Sequence, residues 1–197
     1  MSETLPALDA PNPHPIHLVV TDDLERNRLT VFFRVILAIP LFIWVAIWGL
    51  AVSLVVLVAW IVGLITGRVP EPLHSFMASF TRYYTHVSAY IWIASDPYPG
   101  FTGATGYPVD LEIAPATSQS RLTILFRLIL AIPAEIVTYV LQSVAGVVAI
   151  LAWFYALFTG RANEGMRDLQ AYCLRYQAQT TAYVLLLTQR YPSFSDD

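Results

Sequence analysis

A thirteen-residue phrase that occurs twice constrains this chain more than any other feature. RLTVFFRVILAIP covers residues 28–40 and RLTILFRLILAIP covers residues 121–133, with ten of the thirteen positions identical. The same offset continues without a gap on both sides of the phrase, through a TGR triplet after each apolar run to YPGF and YPSF at the ends. Because the match includes arginines, prolines and glycines as well as interchangeable aliphatic residues, the chain is a tandem duplication.

The duplication predicts two repeats and two short segments. Repeat one is expected over residues 15–101 and repeat two over residues 108–197. A linker at 102–107 joins them, and a flexible proline-rich tail at 1–14 precedes them.

The composition indicates a mainly α integral membrane protein. Of all residues 56% are hydrophobic and 13% are charged, and the mean hydropathy is +0.57. The apolar runs at 41–65 and 134–158 are each long enough, at about 1.5 Å per residue, to reach across a hydrocarbon core of roughly 30 Å. The first residues, MSETLPALDAPNPHP, lack the basic patch and apolar stretch of an export signal. We therefore expect a multi-pass protein of the cytoplasmic membrane with a cytoplasmic N-terminus.

Each repeat predicts the same order of elements. The segments PIHLVV and PVDLEI alternate in the strand period and are expected to pair with one another outside the membrane. An amphipathic entry helix follows, which Pro40 and Pro133 are expected to kink or restart. After the apolar run comes a second amphipathic helix, expected at the membrane interface, with His74, Arg82 and His86 lying away from its apolar face.

The number of membrane crossings per repeat has two readings. Direct repeats with the same flanks favour an even number, which means a helical hairpin in each repeat with its tip near Trp48 and Gly49. A hairpin also places all eleven basic residues on one side of the membrane. About 35 residues supply only about 52 Å of helix, however, which is short of two full spans and keeps a single span per repeat open.

Arginines are the most distinctive polar feature, because every basic residue is an arginine. Two of them, Arg34 and Arg127, recur inside an otherwise apolar stripe. They are candidate contacts to anionic lipid or to a partner through bidentate hydrogen bonds, and ordinary topogenic charge is the alternative. The full candidate set is Arg34, Arg127, Arg68, Arg161, Arg82 and Arg175.

Two polar residues interrupt the second apolar run. Glu135 is a candidate intramembrane site, or a carboxylate near the start of a helix at the interface. Gln142 lies seven residues later on the same face, which predicts a polar seam against the other repeat.

The sequence predicts no cofactor, no metal and no enzymatic activity. The four histidines have no metal-ligand spacing, and neither a glycine-rich phosphate loop nor a nucleophile elbow is present. Cys173 is expected to be a small buried hydrophobic residue. No nucleic-acid partner is expected.

The pattern RLT..FR.ILAIP, an apolar run ending in AW and TGR, and a final YP.F resembles an uncharacterised family of bacterial membrane proteins catalogued as a domain of unknown function. The resemblance covers nearly the whole chain, twice. In repeat one, GRVPEPLHSF and ASDPYPGF depart from the family pattern. The resemblance implies membrane residence, and it points to no particular activity, substrate or catalytic residue.

The function expected from these features is that of a structural or accessory membrane subunit. It would bind a larger membrane complex, a second copy of itself or anionic lipid. A small transporter or lipid-handling protein that uses the interface between the repeats is the alternative.

Overall fold

The computed structural model describes residues 14–195, so the predicted tail at 1–14 lies, except for His14, outside the described residues. In chain order the elements are β1 (Ile16–Val20), α1 (Arg28–Thr66), α2 (Glu71–Ile91), β2 (Val109–Ile113), α3 (Arg121–Thr159) and α4 (Glu164–Val184). The two halves of the chain have the same element order, as the duplication predicts.

Helices α1 and α3 are each a single uninterrupted helix of 39 residues, about 58 Å long. Asn27 caps the start of α1 by accepting a hydrogen bond from the Leu29 amide, and α1 ends at Gly67, whose φ of +75° favours glycine. The entry helix and the apolar run are therefore one element, and Pro40 lies inside it rather than restarting it.

The predicted hairpin is wrong. Trp48 and Gly49, its expected tip, lie within α1, because a lone glycine in a helix costs only about 1 kcal/mol relative to alanine and does not by itself break the helix. Trp48 packs instead on Tyr83 and Phe80 of α2, with ring centroids 5.4 Å and 5.8 Å apart. The folding-back that a hairpin would provide is supplied by α2, which returns along α1.

Helices α2 and α4 form the centre of the molecule, and their expected place at a membrane interface stays a prediction. α2 packs against α1, α4 packs against α3, and the two contact each other. Their polar residues are buried as well as their apolar ones, and they include His74 and His86, which the amphipathic pattern had placed away from the buried side. Cys173 is buried in α4, as predicted.

The repeats are related by an approximate two-fold axis. Trp60 near the end of α1 donates to the carbonyl of Ile124 near the start of α3 (2.9 Å), and the equivalent Trp153 donates to Val31 (2.8 Å). α1 and α3 therefore run antiparallel, with each helix end beside the opposite end of its partner.

Strands β1 and β2 pair antiparallel, which confirms the predicted strand pair. The axis passes through the middle of this ribbon, where Leu18 pairs with its repeat equivalent Leu111. β2 packs on α2 and β1 packs on α4. The molecule thus has three layers: the α1/α3 pair, the α2/α4 pair and the ribbon.

Candidate functional site

The outer side of the α1/α3 layer is apolar over its whole length. Each helix buries one stripe, which on α1 includes Val31, Ala38, Leu41, Val52 and Ala59, at helical spacing. Most of the remaining circumference is exposed and carries large aliphatic and aromatic residues. On α1 these include Leu29, Ile36, Ile43, Leu50, Leu57 and Ile65, and on α3 they include Leu122, Ile129, Ile136, Val144, Leu151 and Phe158. We call this surface the apolar face.

By length and composition, α1 and α3 are also the two described helices that could cross a membrane. The core helix of a soluble protein can have the same length and composition. A core helix is mostly buried, whereas the most apolar window of α1 is only 11% buried. An apolar surface of this size on a folded chain indicates contact with lipid or with another protein.

Arg34 lies in the interior at the C-terminal end of α2. Its guanidinium donates to the carbonyls of Tyr90 (2.9 Å) and Ser95 (3.2 Å), pairs with Asp96 (2.9 Å) and lies 4.3 Å from the centre of the Tyr90 ring. The residue is only 3% exposed. The guanidinium satisfies carbonyl oxygens at the end of α2 that have no hydrogen-bond partner within the helix. The negative end of the helix dipole also stabilises its positive charge.

Arg127 repeats this arrangement at the end of α4, with one difference. It donates to the carbonyls of Tyr183 and Thr188 and lies over the Tyr183 ring. Where Arg34 has Asp96, Arg127 donates to the neutral amide oxygen of Gln119 at 2.6 Å. Among the described residues no acid pairs with Arg127.

The interpretation of Arg34 and Arg127 as lipid or partner contacts is therefore wrong. Their bidentate geometry exists, but it is directed at the protein's own carbonyls. The sequence carried a signal for this, because Arg34 recurs as Arg127 at the same distance from a tyrosine that also recurs, Tyr90 and Tyr183. A repeated arginine and aromatic pair is compatible with an internal cation–π contact.

Arg82 and Arg175 are half-buried rather than free at a surface. Arg82 donates to the carbonyls of Leu111 (3.0 Å) and Gly103 (3.3 Å) and lies 3.6 Å from Asp110, so it fastens α2 to the ribbon. Arg175 donates to Phe194 (2.8 Å) and lies 5.2 Å from the Tyr172 ring. Both arginines support the ribbon side of the molecule and lie away from the apolar face.

Arg68 and Arg161 are exposed, one at each end of the α1/α3 pair. Arg68 forms an isolated β-bridge with Ser118, and Arg161 forms the equivalent bridge with Glu25. Of the six candidate arginines, these two remain available to an external ligand. Two further exposed arginines lie at the same ends, Arg28 and Arg121, the first residues of α1 and α3.

Glu135 lies near Tyr84 of repeat one, whose pKa is raised by burial and by the charge of Glu135, and the polar seam with Gln142 stays a prediction. Glu135 is exposed on α3, beside an open cavity of about 540 Å³ whose lining includes Ile132, Tyr139 and Val184. It lies well inside α3 rather than at a helix start, because α3 begins at Arg121. Gln142 is half-buried.

A polar cluster between α2 and the ribbon contains His86 and Asp110. His86 Nε2 lies 2.8 Å from Asp110 Oδ1, and its ring stacks on Tyr107 at 4.6 Å. Burial lowers the pKa of His86, although the bond to Asp110 opposes that shift. Burial raises the pKa of Asp110, but hydrogen bonds from Gly106, His86 and the Leu111 amide together bring it below its usual value. The neutral histidine therefore donates to a carboxylate, which fixes the ribbon in place.

The sequence matches the model of one protein family. The model of the family described as Domain of unknown function (DUF4389) matches residues 28–102 and again residues 121–196. The chain belongs to this family. Each DUF4389 copy contains one long apolar helix and the shorter helix that returns along it. Comparisons with curated proteins and with solved structures gave no match.

Proposed function

We propose that this protein is a structural membrane protein that lies in one leaflet of a bilayer. In this arrangement α1 and α3 lie along the membrane plane with the apolar face in hydrocarbon, and α2, α4 and the ribbon form a layer on the aqueous side. The observation that carries the proposal is the position of the charged ribbon layer relative to the midpoints of α1 and α3.

The ribbon is level with the middle of the long helices. Trp48 lies one residue from Ile47, the midpoint of α1, and stacks on Tyr83 of α2. The residue before Tyr83 is Arg82, which donates to Leu111 at the centre of the ribbon. Because the two-fold axis passes through the same level, α3 has its midpoint there too. A bilayer crossed by both helices would be centred on this level.

Such a crossing would place the ribbon in the bilayer interior. An open sheet edge in hydrocarbon leaves backbone groups unpaired at several kcal/mol each. Arg82, Asp110 and Glu112 would lie near the midplane, where a charged side chain costs roughly 2.5–3.5 kcal/mol on insertion scales. In-plane helices avoid both costs, since the ribbon then lies two helix layers away from the lipid.

Lipid is the preferred occupant of the apolar face because the face is long, apolar along its full length and bordered by arginines at both ends. Each Leu, Ile or Phe side chain transferred from water to hydrocarbon contributes about 1.5–3 kcal/mol. The exposed arginines Arg28, Arg68, Arg121 and Arg161 lie at the ends, where they can reach headgroups.

A labelling experiment tests this arrangement. Single cysteines at Asp23 and Glu71, exposed positions that flank α1, are introduced separately into a Cys173→Ser background. Intact and permeabilised cells are then treated with a membrane-impermeant thiol reagent. We expect both positions to react in the same sample, and reaction only after permeabilisation would place the ribbon layer in the cytoplasm.

Labelling of one position but not the other in intact cells would show that α1 crosses the membrane, and it would refute the in-plane proposal. The equivalent pair around α3, Ala116 and Glu164, is unsuitable because Ala116 is buried. Thr117 and Glu164 are both exposed and serve as the matched pair for repeat two.

The proposed role is non-catalytic, as a platform that docks on a larger membrane complex or organises lipid. Its support is that four central polar side chains have a structural role: Arg34, Arg82, Arg127 and His86 hold α2, α4 and the ribbon together. Purification of a tagged full-length chain in mild detergent tests this role. A stoichiometric protein partner supports the accessory role, and a chain with neither protein nor lipid bound argues against it.

Lipid handling remains a second candidate, favoured by a cavity between the repeats. The cavity has a volume of about 480 Å³ and an almost entirely apolar lining that includes Ala38 and Phe42 of α1 and Ala149 and Trp153 of α3. The repeat equivalent of Ala149 is the larger Val56. Replacing Ala149 with Leu should remove a co-purifying lipid if the cavity holds one, with Val56→Ala as the matched control.

A further inference from the structure

The two ends of the α1/α3 pair have the same backbone contacts but different charge. At one end the Arg26 amide donates to the carbonyl of Gly160 (3.0 Å), and at the other the Gln119 amide donates to Gly67 (2.8 Å). Each end carries two exposed arginines, one that starts a long helix and one that follows the end of the other. Because the two-fold axis relates the two ends, a substitution at one end can be compared with the equivalent substitution at the other.

Acids neutralise only the end where α1 begins. Asp22 pairs with Arg26 (2.7 Å) and Asp96 pairs with Arg34 (2.9 Å), and Glu25 is the backbone β-bridge partner of Arg161, which places its negative charge at the same end. In repeat two the acids are replaced by neutral residues: Asp22, Asp23, Glu25 and Asp96 correspond to Pro115, Ala116, Ser118 and Gln189. Glu71 and Glu164 follow the two ends equivalently and do not change the difference.

The end where α3 begins is therefore basic. Arg121 lies over Gly67, since a Cβ on that glycine would be 3.9 Å from Arg121 Nε. The neighbouring Arg68 donates to the carbonyl of Ala116 at 3.2 Å and is exposed, as are Ser118 and Ser120. Behind them the buried Arg127, with no acid partner among the described residues, adds to the positive potential.

We propose that the Arg68–Arg121 end is a contact site for the phosphate of anionic phospholipid headgroups, and that the Arg28–Arg161 end is not. This inference rests on the proposed in-plane arrangement. Guanidinium groups bind phosphate through paired hydrogen bonds, and the adjacent serine hydroxyls add donors. At the opposite end, Glu25 and Asp96 line the same pocket as Arg161, and their negative charges repel phosphate there.

Because of this difference in charge, only the Arg68–Arg121 end has a preference for anionic lipid. Each arginine near the surface of an anionic leaflet raises the partition coefficient of the protein about fivefold, which corresponds to about 1 kcal/mol. Two arginines at one end therefore supply a preference of about 30-fold over a neutral leaflet. Screening by the acids removes most of this gain at the other end.

Flotation with vesicles tests the proposal. Full-length protein is diluted from detergent into vesicles of phosphatidylcholine alone or with phosphatidylglycerol, and the floated fraction is measured. We expect stronger binding to the anionic vesicles, and we expect Arg68→Gln with Arg121→Gln to reduce that preference about 30-fold. The matched double variant Arg28→Gln with Arg161→Gln should change it by less than about threefold.

A second variant keeps all arginines in place. Ser118→Glu with Gln189→Asp copies two of the four acids of repeat one, Glu25 and Asp96, into repeat two, and it should abolish the anionic preference without removing a basic residue. Equal losses in the two arginine double variants, or no effect of the copied acids, would overturn the site while leaving the in-plane proposal intact. Failure to bind either vesicle would overturn both.

Discussion

At the scale of single residues, the buried arginines are the part of the fold most sensitive to substitution. Each holds the last turn of a shorter helix through carbonyl bonds that a planar guanidinium satisfies from one position. Lysine has a single ammonium group and cannot reach the same set of acceptors. The chemistry of the side chain, rather than its charge, is what the site requires.

We therefore expect Arg127→Lys and Arg34→Lys to lower thermal stability. Loss of one charge-assisted hydrogen bond costs about 1.5–3 kcal/mol, equivalent to roughly 3–12 °C in Tm for a chain of this size. The measurement is the Tm of the detergent-purified protein. Asp96→Asn is the matched control, because it gives Arg34 a neutral partner like that of Arg127, and it should cost less than either lysine variant. Unchanged Tm in both lysine variants would contradict the capping role.

Two histidines predict acid sensitivity of the folded state. Burial lowers the pKa of His14 to about 4, and burial also lowers that of His86. Between pH about 6.5 and 4 the unfolded chain binds protons that the folded chain does not, so the free energy of unfolding falls as the pH falls. The slope is at most about 1.4 kcal/mol per pH unit for each histidine.

Chemical denaturation across this pH range measures the slope. The variant His86→Gln, which retains a donor for Asp110, should lose part of the pH dependence. A wild-type stability that is flat between pH 7 and 4.5 would show that these histidines are not held neutral by the fold.

At the scale of elements, the crossing of α1 and α3 is held by two equivalent tryptophans. Trp60 and Trp153 each donate an indole hydrogen bond to the first turn of the opposite helix. Replacing either with Phe removes the hydrogen bond and keeps most of the apolar contact. We expect each substitution to cost about 0.5–1.5 kcal/mol, with similar values because the contacts are symmetric. Denaturation of the two single variants and the double variant measures this, and a cost at one position alone would argue against the two-fold packing.

The elements themselves were largely readable from sequence. The alternation in PIHLVV and PVDLEI predicted the paired strands, and the TGR triplets marked the ends of both long helices, where Gly67 and Gly160 adopt positive φ. Local propensity and glycine geometry determine such features, so the residues near each boundary are sufficient to predict them.

The arrangement of the elements was not readable in the same way. The burial of Arg34 depends on carbonyls 56 or more residues away, and no local pattern reports which acceptor an arginine will meet. The hairpin was inferred from the need to return both repeats to one side of a membrane. Helices that lie in the plane satisfy that need without crossing, an option that hydrophobic length alone does not distinguish from a span.

At the scale of the whole molecule, the two-fold axis is proposed to be perpendicular to the membrane. Direct repeats then have the same orientation relative to the bilayer, so each repeat presents its apolar helix to lipid and its strand to water. The duplication doubles the apolar face without inverting either copy. Differences between the copies, such as Asp96 against Gln189, can then give the two ends different partners.

The depth of α1 in the bilayer tests this account most directly. Leu29, Ile47 and Ile65 are all exposed, and they are spaced by five helical turns, so they lie on the same side of α1 at its start, middle and end. A nitroxide is attached to a single cysteine at each position in a Cys173→Ser background, and its accessibility to oxygen and to a water-soluble relaxation agent is measured in reconstituted vesicles. The in-plane arrangement predicts similar, shallow depths at all three positions. A deep value at Ile47 with aqueous values at Leu29 and Ile65 would show that α1 crosses the bilayer and would contradict the account.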